Sequence, residues 1–298
     1  MTHIDFGISL SRRNDIAAEA RAAEAMGYDF VTTGEHVFFY GPTTNGLITL
    51  AAAASVTETI GLMSTITLVP LYPAALLAKQ IAALDVLSNG RFHLGVGVGG
   101  EFTKEFEACG VPIAERGART NEALEVMQRL WQEDDVHFDG RFTKLSGVTL
   151  QPKPVQKPHP PIWISGRSDA AIRRAARFGD GWLPYMYTPE KLAESVAMIR
   201  ERTDRVVRPG LFIFFAVHED GDKARGIATE RLSKQYNQDF SKLVPKYALA
   251  GSADDCAARL REYVEAGAET VILNSACPAD YVEENQRLMA EAVLPLFR

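Results

Sequence analysis

The sequence predicts an α/β fold, a (β/α)8 TIM barrel with insertions. Short strand-like runs alternate with helical patterns along the whole chain, and eight such runs occur. A doubly wound open sheet needs only about five or six strands, which would leave two over. The chain has 298 residues, 46% of them hydrophobic, which suits one large barrel without a disulfide or metal staple. We therefore expect residues 1–298 to form a single domain.

The first half of the chain alternates four strands with four helices. The strands are rich in Ile, Leu, Val, Phe and Thr, and the helices place apolar residues at helical spacing. Gly27 is a helix stop, and Pro73 is a helix start. In order, the predicted elements are strand Ile4–Leu10, helix Asn14–Met26, strand Phe30–Thr33, helix Leu47–Thr57, strand Gly61–Val69, helix Pro73–Leu87, strand Phe92–Val98, an irregular stretch Glu101–Pro112 and helix Arg116–Trp131.

An excursion interrupts the alternation after the fourth helix. Val136–Leu150 predicts a hairpin that turns at Asp139 and Gly140. Gln151–Pro161 contains five prolines and predicts an extended connector. Because the alternation resumes at once, we interpret this excursion as an insertion within one domain.

The second half of the chain repeats the pattern to the end. Its elements are bounded by glycines and prolines in the same way. The predicted elements are strand Ile162–Ile164, helix Ser168–Phe178, strand Gly181–Pro184, helix Pro189–Arg202, strand Leu211–Val217, helix Asp222–Lys234, helix Ala253–Ala266, strand Thr270–Leu273 and helix Ala279–Leu296.

Composition excludes several classes of partner. The net charge is −6 with acids and bases interspersed, which provides no basic footprint for nucleic acid. The histidines lack metal-ligand spacing, so no metal site is expected. No apolar run approaches the length of a membrane span, and the first residues lack a signal-peptide pattern. Three cysteines without a Cys-x-x-Cys pair are typical of reduced thiols, so we expect a cytoplasmic protein.

The second strand ends in the sequence Gly34-Glu35-His36. Barrels of this kind keep their chemistry at the C-terminal ends of the strands. Histidine titrates near neutrality and can pass a proton to or from a reacting oxygen, so we expect His36 to be catalytic. Glu35 either orients His36, contacts a cofactor or fixes a neighbouring strand.

Two glycine-containing segments lie at the C-terminal ends of other predicted strands. Gly95–Gly100 matches G-x-G-x-x-G, but it does not open a helix directly, which disfavours a dinucleotide-binding fold. We interpret it as a strand end that lets a flat ligand approach the backbone. Gly166-Arg167-Ser168 opens a helix, and backbone amides at a helix N-terminus bind phosphate.

The chain resembles the luciferase-like family of barrel oxidoreductases over nearly its whole length. The motifs that carry this resemblance occur in the family's order, which makes the set more specific than any one member. They are Gly34–Phe38, Leu76–Asp85, Ser88–Phe92, Leu94–Gly99, Glu105–Pro112, Pro152–Ile164 and Ala175–Trp182.

Members of this family bind coenzyme F420 or FMN in the barrel mouth. The blocks between Pro152 and Trp182 look most like the F420-dependent branch, whereas the Glu35-His36 pair also looks like that of the FMN-dependent bacterial luciferases. The resemblance therefore implies F420-dependent hydride transfer to or from a small organic substrate, with His36 handling the proton. The alternatives are a monooxygenase that uses reduced FMN, supplied by a separate reductase, and a cofactor-binding subunit without turnover. The resemblance to the luciferase-like family also implies that the protein is a homodimer.

The resemblance implies further site residues. Glu101 stands where relatives often place an acid near the cofactor or substrate. The family commonly has a non-proline cis peptide that supports the cofactor ring in the third strand, which places it at Ile66–Thr67 here. Substrate-shaping loops are expected at Phe38–Gly46, Thr103–Glu115 and Asn237–Gly251, the last as a mobile lid. The implied cofactor-binding residues are Glu35, Thr65, Ile66, Thr67, Val98, Gly99, Gly100, Gly166, Arg167 and Ser168.

Overall fold

Parallel strands close into a ring in the computed structural model, which describes residues 3–10 and 15–298. The strands are β1 (Asp5–Ser9), β2 (Phe30–Thr33), β3 (Gly61–Ser64), β4 (Thr67–Leu68), β5 (Phe92–Gly97), β6 (Val136–Asp139), β7 (Lys144–Val148), β8 (Ile162–Ser165), β9 (Gly181–Leu183), β10 (Arg208–Val217), β11 (Ala248–Gly251) and β12 (Thr270–Ser275). The ring runs β1-β2-β3-β5-β8-β9-β10-β12, and parallel pairing of β12 with β1 closes it. The predicted (β/α)8 barrel is therefore confirmed.

Helices surround the ring and bury their apolar faces against it. They are α1 (Ile16–Ala25), α2 (Gly46–Ala54), α3 (Ala74–Leu87), α4 (Thr103–Ala108), α5 (Arg116–Gln132), α6 (Asp169–Phe178), α7 (Pro189–Arg200), α8 (Gly221–Tyr236), α9 (Val244–Tyr247), α10 (Ala253–Glu265) and α11 (Val282–Leu288). Ser168 caps α6 and Thr188 caps α7, each accepting a backbone N–H with its side chain. Within the described ranges, no helix has both the length and the apolar character needed to cross a membrane.

The interior of the ring contains a partly buried histidine, His93, among large apolar side chains. Indole Nε1 of Trp163 donates to Nδ1 of His93 at 3.2 Å, and the ring of Phe30 meets the imidazole edge-on with 4.9 Å between centroids. Burial lowers the pKa of His93 to about 4. His93 is therefore neutral near pH 7 and accepts the indole proton as part of the core.

The third barrel strand is interrupted, whereas a continuous strand over Gly61–Val69 was expected. β3 ends at Ser64 and β4 begins at Thr67. Between them the Thr65–Ile66 peptide bond is cis, one bond before the Ile66–Thr67 position that the resemblance implied.

Two glycines of β5 make room for this interruption. A Cβ on Gly95 would lie 1.9 Å from the carbonyl oxygen of Ser64, and a Cβ on Gly97 would lie 1.6 Å from Cδ1 of Ile66. The hydroxyl of Ser64 also bonds both the N–H and the carbonyl of Gly95. Close packing against the neighbouring strand, rather than approach of a ligand, therefore explains the first two glycines of the G-x-G-x-x-G pattern.

Three stretches differ from the sequence expectation because tertiary contacts decide their conformation. The segment expected to be irregular contains α4, whose Glu105 and Phe106 are buried. The expected lid, Asn237–Gly251, contains α9 and β11. The small residues of β11 pair with β10. The last helix changes from α-helix to π-helix at Met289 and to 3₁₀-helix at Leu294. The predicted start of the first helix, Asn14, lies outside the described residues.

Candidate active site

A cavity of about 1000 Å³ opens at the C-terminal ends of the barrel strands. It lies at the upper end of the range for small-molecule sites, about 300–1,000 Å³, which leaves room for a cofactor and a small substrate. Thr67 was predicted to belong here, but its side chain is buried and does not line the cavity. The predicted residues that line it are Glu35, His36, Thr65, Ile66, Val98, Gly99, Gly100, Glu101, Gly166, Arg167 and Ser168.

His36 is held by a buried carboxylate from α4. Nδ1 of His36 lies 3.2 Å from Oε2 and 3.3 Å from Oε1 of Glu105, whose side chain is fully buried. Oε2 of Glu105 also accepts the N–H of Val37 at 3.1 Å. The carboxylate favours the tautomer with the proton on Nδ1. Nε2, at the opposite edge of the ring, is then the nitrogen left to exchange a proton with a ligand in the cavity. The ring of Phe39 stacks on the imidazole at 4.2 Å and fixes its plane.

Glu35 supports the interrupted third strand. Its Oε1 accepts the N–H of Leu68 at 2.9 Å, and its Oε2 accepts the hydroxyl of Tyr72 at 2.9 Å. Burial raises the pKa of Glu35, and these hydrogen bonds oppose that effect. Of the roles considered for Glu35, fixing a neighbouring strand accounts for both carboxylate oxygens.

Glu101 is bonded across the cavity mouth. The hydroxyl of Tyr185, which follows β9, donates to the carboxylate of Glu101, and the guanidinium of Arg167 lies 4.9 Å from the centre of the Tyr185 ring. Burial, followed by the negative charge of Glu101, raises the pKa of Tyr185, so the tyrosine remains a hydrogen-bond donor near neutrality. This contact joins the loops that follow the fourth and sixth strands of the ring.

The start of α6 provides the features of an anion site. Ser168 caps the helix, and its hydroxyl oxygen accepts the N–H of Ala171 at 3.3 Å. Arg116, at the start of α5, lines the same cavity and bonds only the carbonyl of Ile113 in its own turn within the described residues. Asp169 in the first turn of α6 forms ion pairs with Arg173 of the same helix and with Arg202, which follows α7. A phosphate group matches this combination of a helix dipole and a guanidinium that forms no ion pair within the described residues.

Two buried hydroxyls on the cavity wall support a polar ligand. Oγ1 of Thr65 and Oγ of Ser275 are shielded from solvent and have no hydrogen-bond partner among the described residues. Both residues line the cavity. Buried polar groups of folded proteins nearly always have partners, so these two hydroxyls fit a ligand with its own donors and acceptors, such as a flavin-type ring system.

Several residues that line the cavity or support its lining were not identified from the sequence. Glu105 belongs to a motif that carries the resemblance, but its role depends on the position of α4, which periodicity did not reveal. Arg116, Arg231 and Lys234 lie on helices, where a charged residue is usually a solvated surface residue. After β8, Trp182 of β9 is buried in the core, whereas Tyr185, which follows β9, lines the cavity.

Comparison with known sequences identifies a matching family model and several related proteins. A family model described as luciferase-like monooxygenase matches residues 4–270. An uncharacterised protein of Mycobacterium tuberculosis is 30% identical over 228 residues, which are 70% of this chain and 78% of that protein. The FMNH2-dependent dimethylsulfone monooxygenase of Pseudomonas putida is 32% identical over 189 residues, 61% of this chain and 52% of its own length.

Solved structures share the whole architecture. Monooxygenase RslO1 from Streptomyces bottropensis has a TM-score of 0.88 at 28% identity, covering 99% of this chain and 100% of that one. An F420-dependent secondary alcohol dehydrogenase, solved with an F420-acetone adduct, has a TM-score of 0.87 at 21% identity and 99% coverage of both chains, a likeness of fold alone. From its match to the family model over most of its length, the chain belongs to the luciferase-like monooxygenase family.

Proposed function

We propose that this chain is an oxidoreductase with a flavin-type cofactor in the barrel mouth, and that His36 transfers the proton that accompanies the redox step. The contact between His36 and the buried Glu105 carries this proposal. A histidine oriented through Nδ1 by a carboxylate, with Nε2 serving a cavity, has the arrangement of a general acid or base with its orienting partner.

The cavity walls fit such a cofactor. Its phosphate would be held by the start of α6, with Ser168 and Arg116, and its ring system by the unpartnered hydroxyls of Thr65 and Ser275. The cofactor, when bound, supplies the electrons of the reaction. The chain's own contribution is to orient the substrate, exclude water and move a proton at Nε2 of His36.

Reduced FMN is our first candidate for the cofactor, which makes the activity monooxygenation of a small organic substrate. Two relatives that are more than 25% identical to this chain have names that state an activity; both are monooxygenases, and one is FMNH2-dependent. A separate reductase would then supply the reduced flavin. The second candidate is F420 with hydride transfer, which the blocks between Pro152 and Trp182 favour.

Replacement of His36 tests the catalytic role. We expect His36→Gln to lower the rate at which bound reduced FMN is reoxidised in air, or F420H2 by small aldehydes and ketones, by about 10²–10⁴-fold. The dissociation constant of the cofactor should change little, because the phosphate site is unaltered. The control is His137→Gln, which alters an exposed histidine of the hairpin. An unchanged rate would contradict the proposal, and a wild type that binds cofactor without turnover would indicate the non-catalytic subunit.

A further inference from the structure

The cavity has more basic than acidic side chains. Its two acidic side chains, Glu35 and Glu101, each already accept a tyrosine hydroxyl. An excess of one sign of charge in a cavity with low-dielectric walls raises the local concentration of ligands of the opposite charge. The four basic side chains that line it are Arg116, Arg167, Arg231 and Lys234.

Arg231 and Lys234 form a second cationic group, apart from the start of α6. They lie on α8 and share one helix face with Gln235, at i, i+3 and i+4. Neither side chain forms a hydrogen bond or ion pair within residues 3–10 and 15–298. α8 follows β10, whereas α6 follows β8, and β9 lies between these two strands in the ring. A phosphate at the start of α6 therefore leaves the α8 cations unmatched.

Aromatic side chains connect His36 with the helix that carries these cations. Ring centroids of Phe39 and Tyr236 are 6.5 Å apart, and those of Tyr236 and Phe214 are 6.2 Å apart. Phe212 meets Phe214 edge-on at 5.7 Å. All four of these rings line the cavity. Such a wall favours a flat apolar body, through area burial and edge-to-face contacts.

We propose that the substrate is a flat aromatic or conjugated molecule with a carboxylate or similarly compact anionic group. Arg231 and Lys234 bind the anion, with Gln235 as a further donor, while the wall from Phe39 to Phe214 contacts the apolar body. Guanidinium and ammonium groups bind carboxylates through charge-assisted hydrogen bonds. This inference rests on the proposed function, because it assigns the anion to the substrate and the phosphate site to the cofactor.

Calorimetric titration with 2-naphthoate and with its neutral analogue 2-naphthamide tests the inference, in the presence and absence of FMN. We expect the wild type to bind 2-naphthoate at least about tenfold more tightly than 2-naphthamide. The double substitution Arg231→Gln and Lys234→Gln should abolish this preference. Lys223→Gln is the matched control, since Lys223 is an exposed cation of α8 outside the cavity lining.

The outcomes separate this inference from the proposed function. Equal binding of the two probes to the wild type, or a preference that survives the double substitution, would overturn the inference. A double variant that loses affinity for FMN or F420 but not for 2-naphthoate would show that the α8 cations hold the cofactor, which also overturns it. Charge-dependent binding of 2-naphthoate to a wild type that binds neither cofactor would support the anion site and contradict the proposed function.

Discussion

Glu105 controls how His36 is presented to the cavity. Its carboxylate meets Nδ1 of His36 and the N–H of Val37, and no solvent reaches the side chain to replace these contacts. We predict that Glu105→Gln lowers kcat about 10–100-fold with little change in cofactor affinity, as substitutions of orienting partners do. The control is Glu107→Gln on the exposed face of α4. Equal kcat values for the two variants would remove the orienting role.

Ser168 has both a capping role and a predicted cofactor role, and Thr188 allows the two to be separated. Each caps a helix through its hydroxyl, but only Ser168 lines the cavity. We predict that Ser168→Ala and Thr188→Ala each lower the free energy of unfolding by about 1 kcal/mol. Only Ser168→Ala should raise the dissociation constant of the cofactor, by about tenfold. A similar dissociation constant for both variants would contradict the phosphate site.

The sequence allowed His36 to be predicted as a cavity residue because it directly follows a barrel strand, and such positions share one end of the ring. Glu105 and the cations of α8 depend instead on how helices pack over the cavity. Their side chains become neighbours of the cavity through contacts between distant parts of the chain, which local patterns do not encode.

The interrupted third strand and β5 are fitted to each other. A Cβ on Gly95 would meet the backbone carbonyl of Ser64, which cannot rotate away as a side chain could. We predict that Gly95→Ala lowers the free energy of unfolding by about 2–3 kcal/mol, measured by urea denaturation. Gly226→Ala is the control, because its Cβ would meet nothing within 4 Å in α8, and it should stabilise the protein by about 0.5–1 kcal/mol. Equal stability of Gly95→Ala and wild type would contradict this packing.

Strand and helix positions were predictable where a segment's own pattern decides its conformation. Phe30–Thr33 is a strand with the predicted bounds, and the hairpin turns after Asp139 as expected. Short elements were missed because their stability comes from other parts of the chain. α4 is six residues long, and Ala248–Gly251 is a strand because it pairs with β10.

The closed ring surrounds a titratable group, so its stability depends on pH. The unfolded chain protonates His93 below its ordinary pKa of 6.5, whereas the folded protein does so only below about 4. Lowering the pH from 6.5 to 4 therefore favours the unfolded state, by about 3 kcal/mol from this residue. We predict that His93→Gln makes the stability less dependent on pH across this range, in chemical denaturation at several pH values. If His93→Gln and the wild type lose the same free energy of unfolding between pH 6.5 and pH 4, His93 is not the group responsible. The control His137→Gln should show the pH dependence of the wild type.

The ring also explains how one cavity collects residues from the whole chain. Segments after the second, fourth, fifth and seventh strands of the ring contribute His36, Glu101, Ser168 and Arg231 to one mouth. This arrangement follows from parallel strands that all end at one side of the barrel. We retain a single domain over residues 1–298 and a homodimer as proposals that accompany this architecture.

Parallel titration of the purified protein with FMN and with F420, followed by cofactor fluorescence, tests the central proposal most directly. Wild type and Arg116→Gln should be compared, because Arg116 lines the same cavity as Ser168 at the start of α6. We predict saturable binding with FMN the tighter ligand, and about tenfold weaker binding by Arg116→Gln. If only F420 binds, the proposed cofactor site stands, but the proposed reaction becomes hydride transfer instead of monooxygenation. Saturation by neither cofactor would contradict a flavin-type site in the barrel mouth.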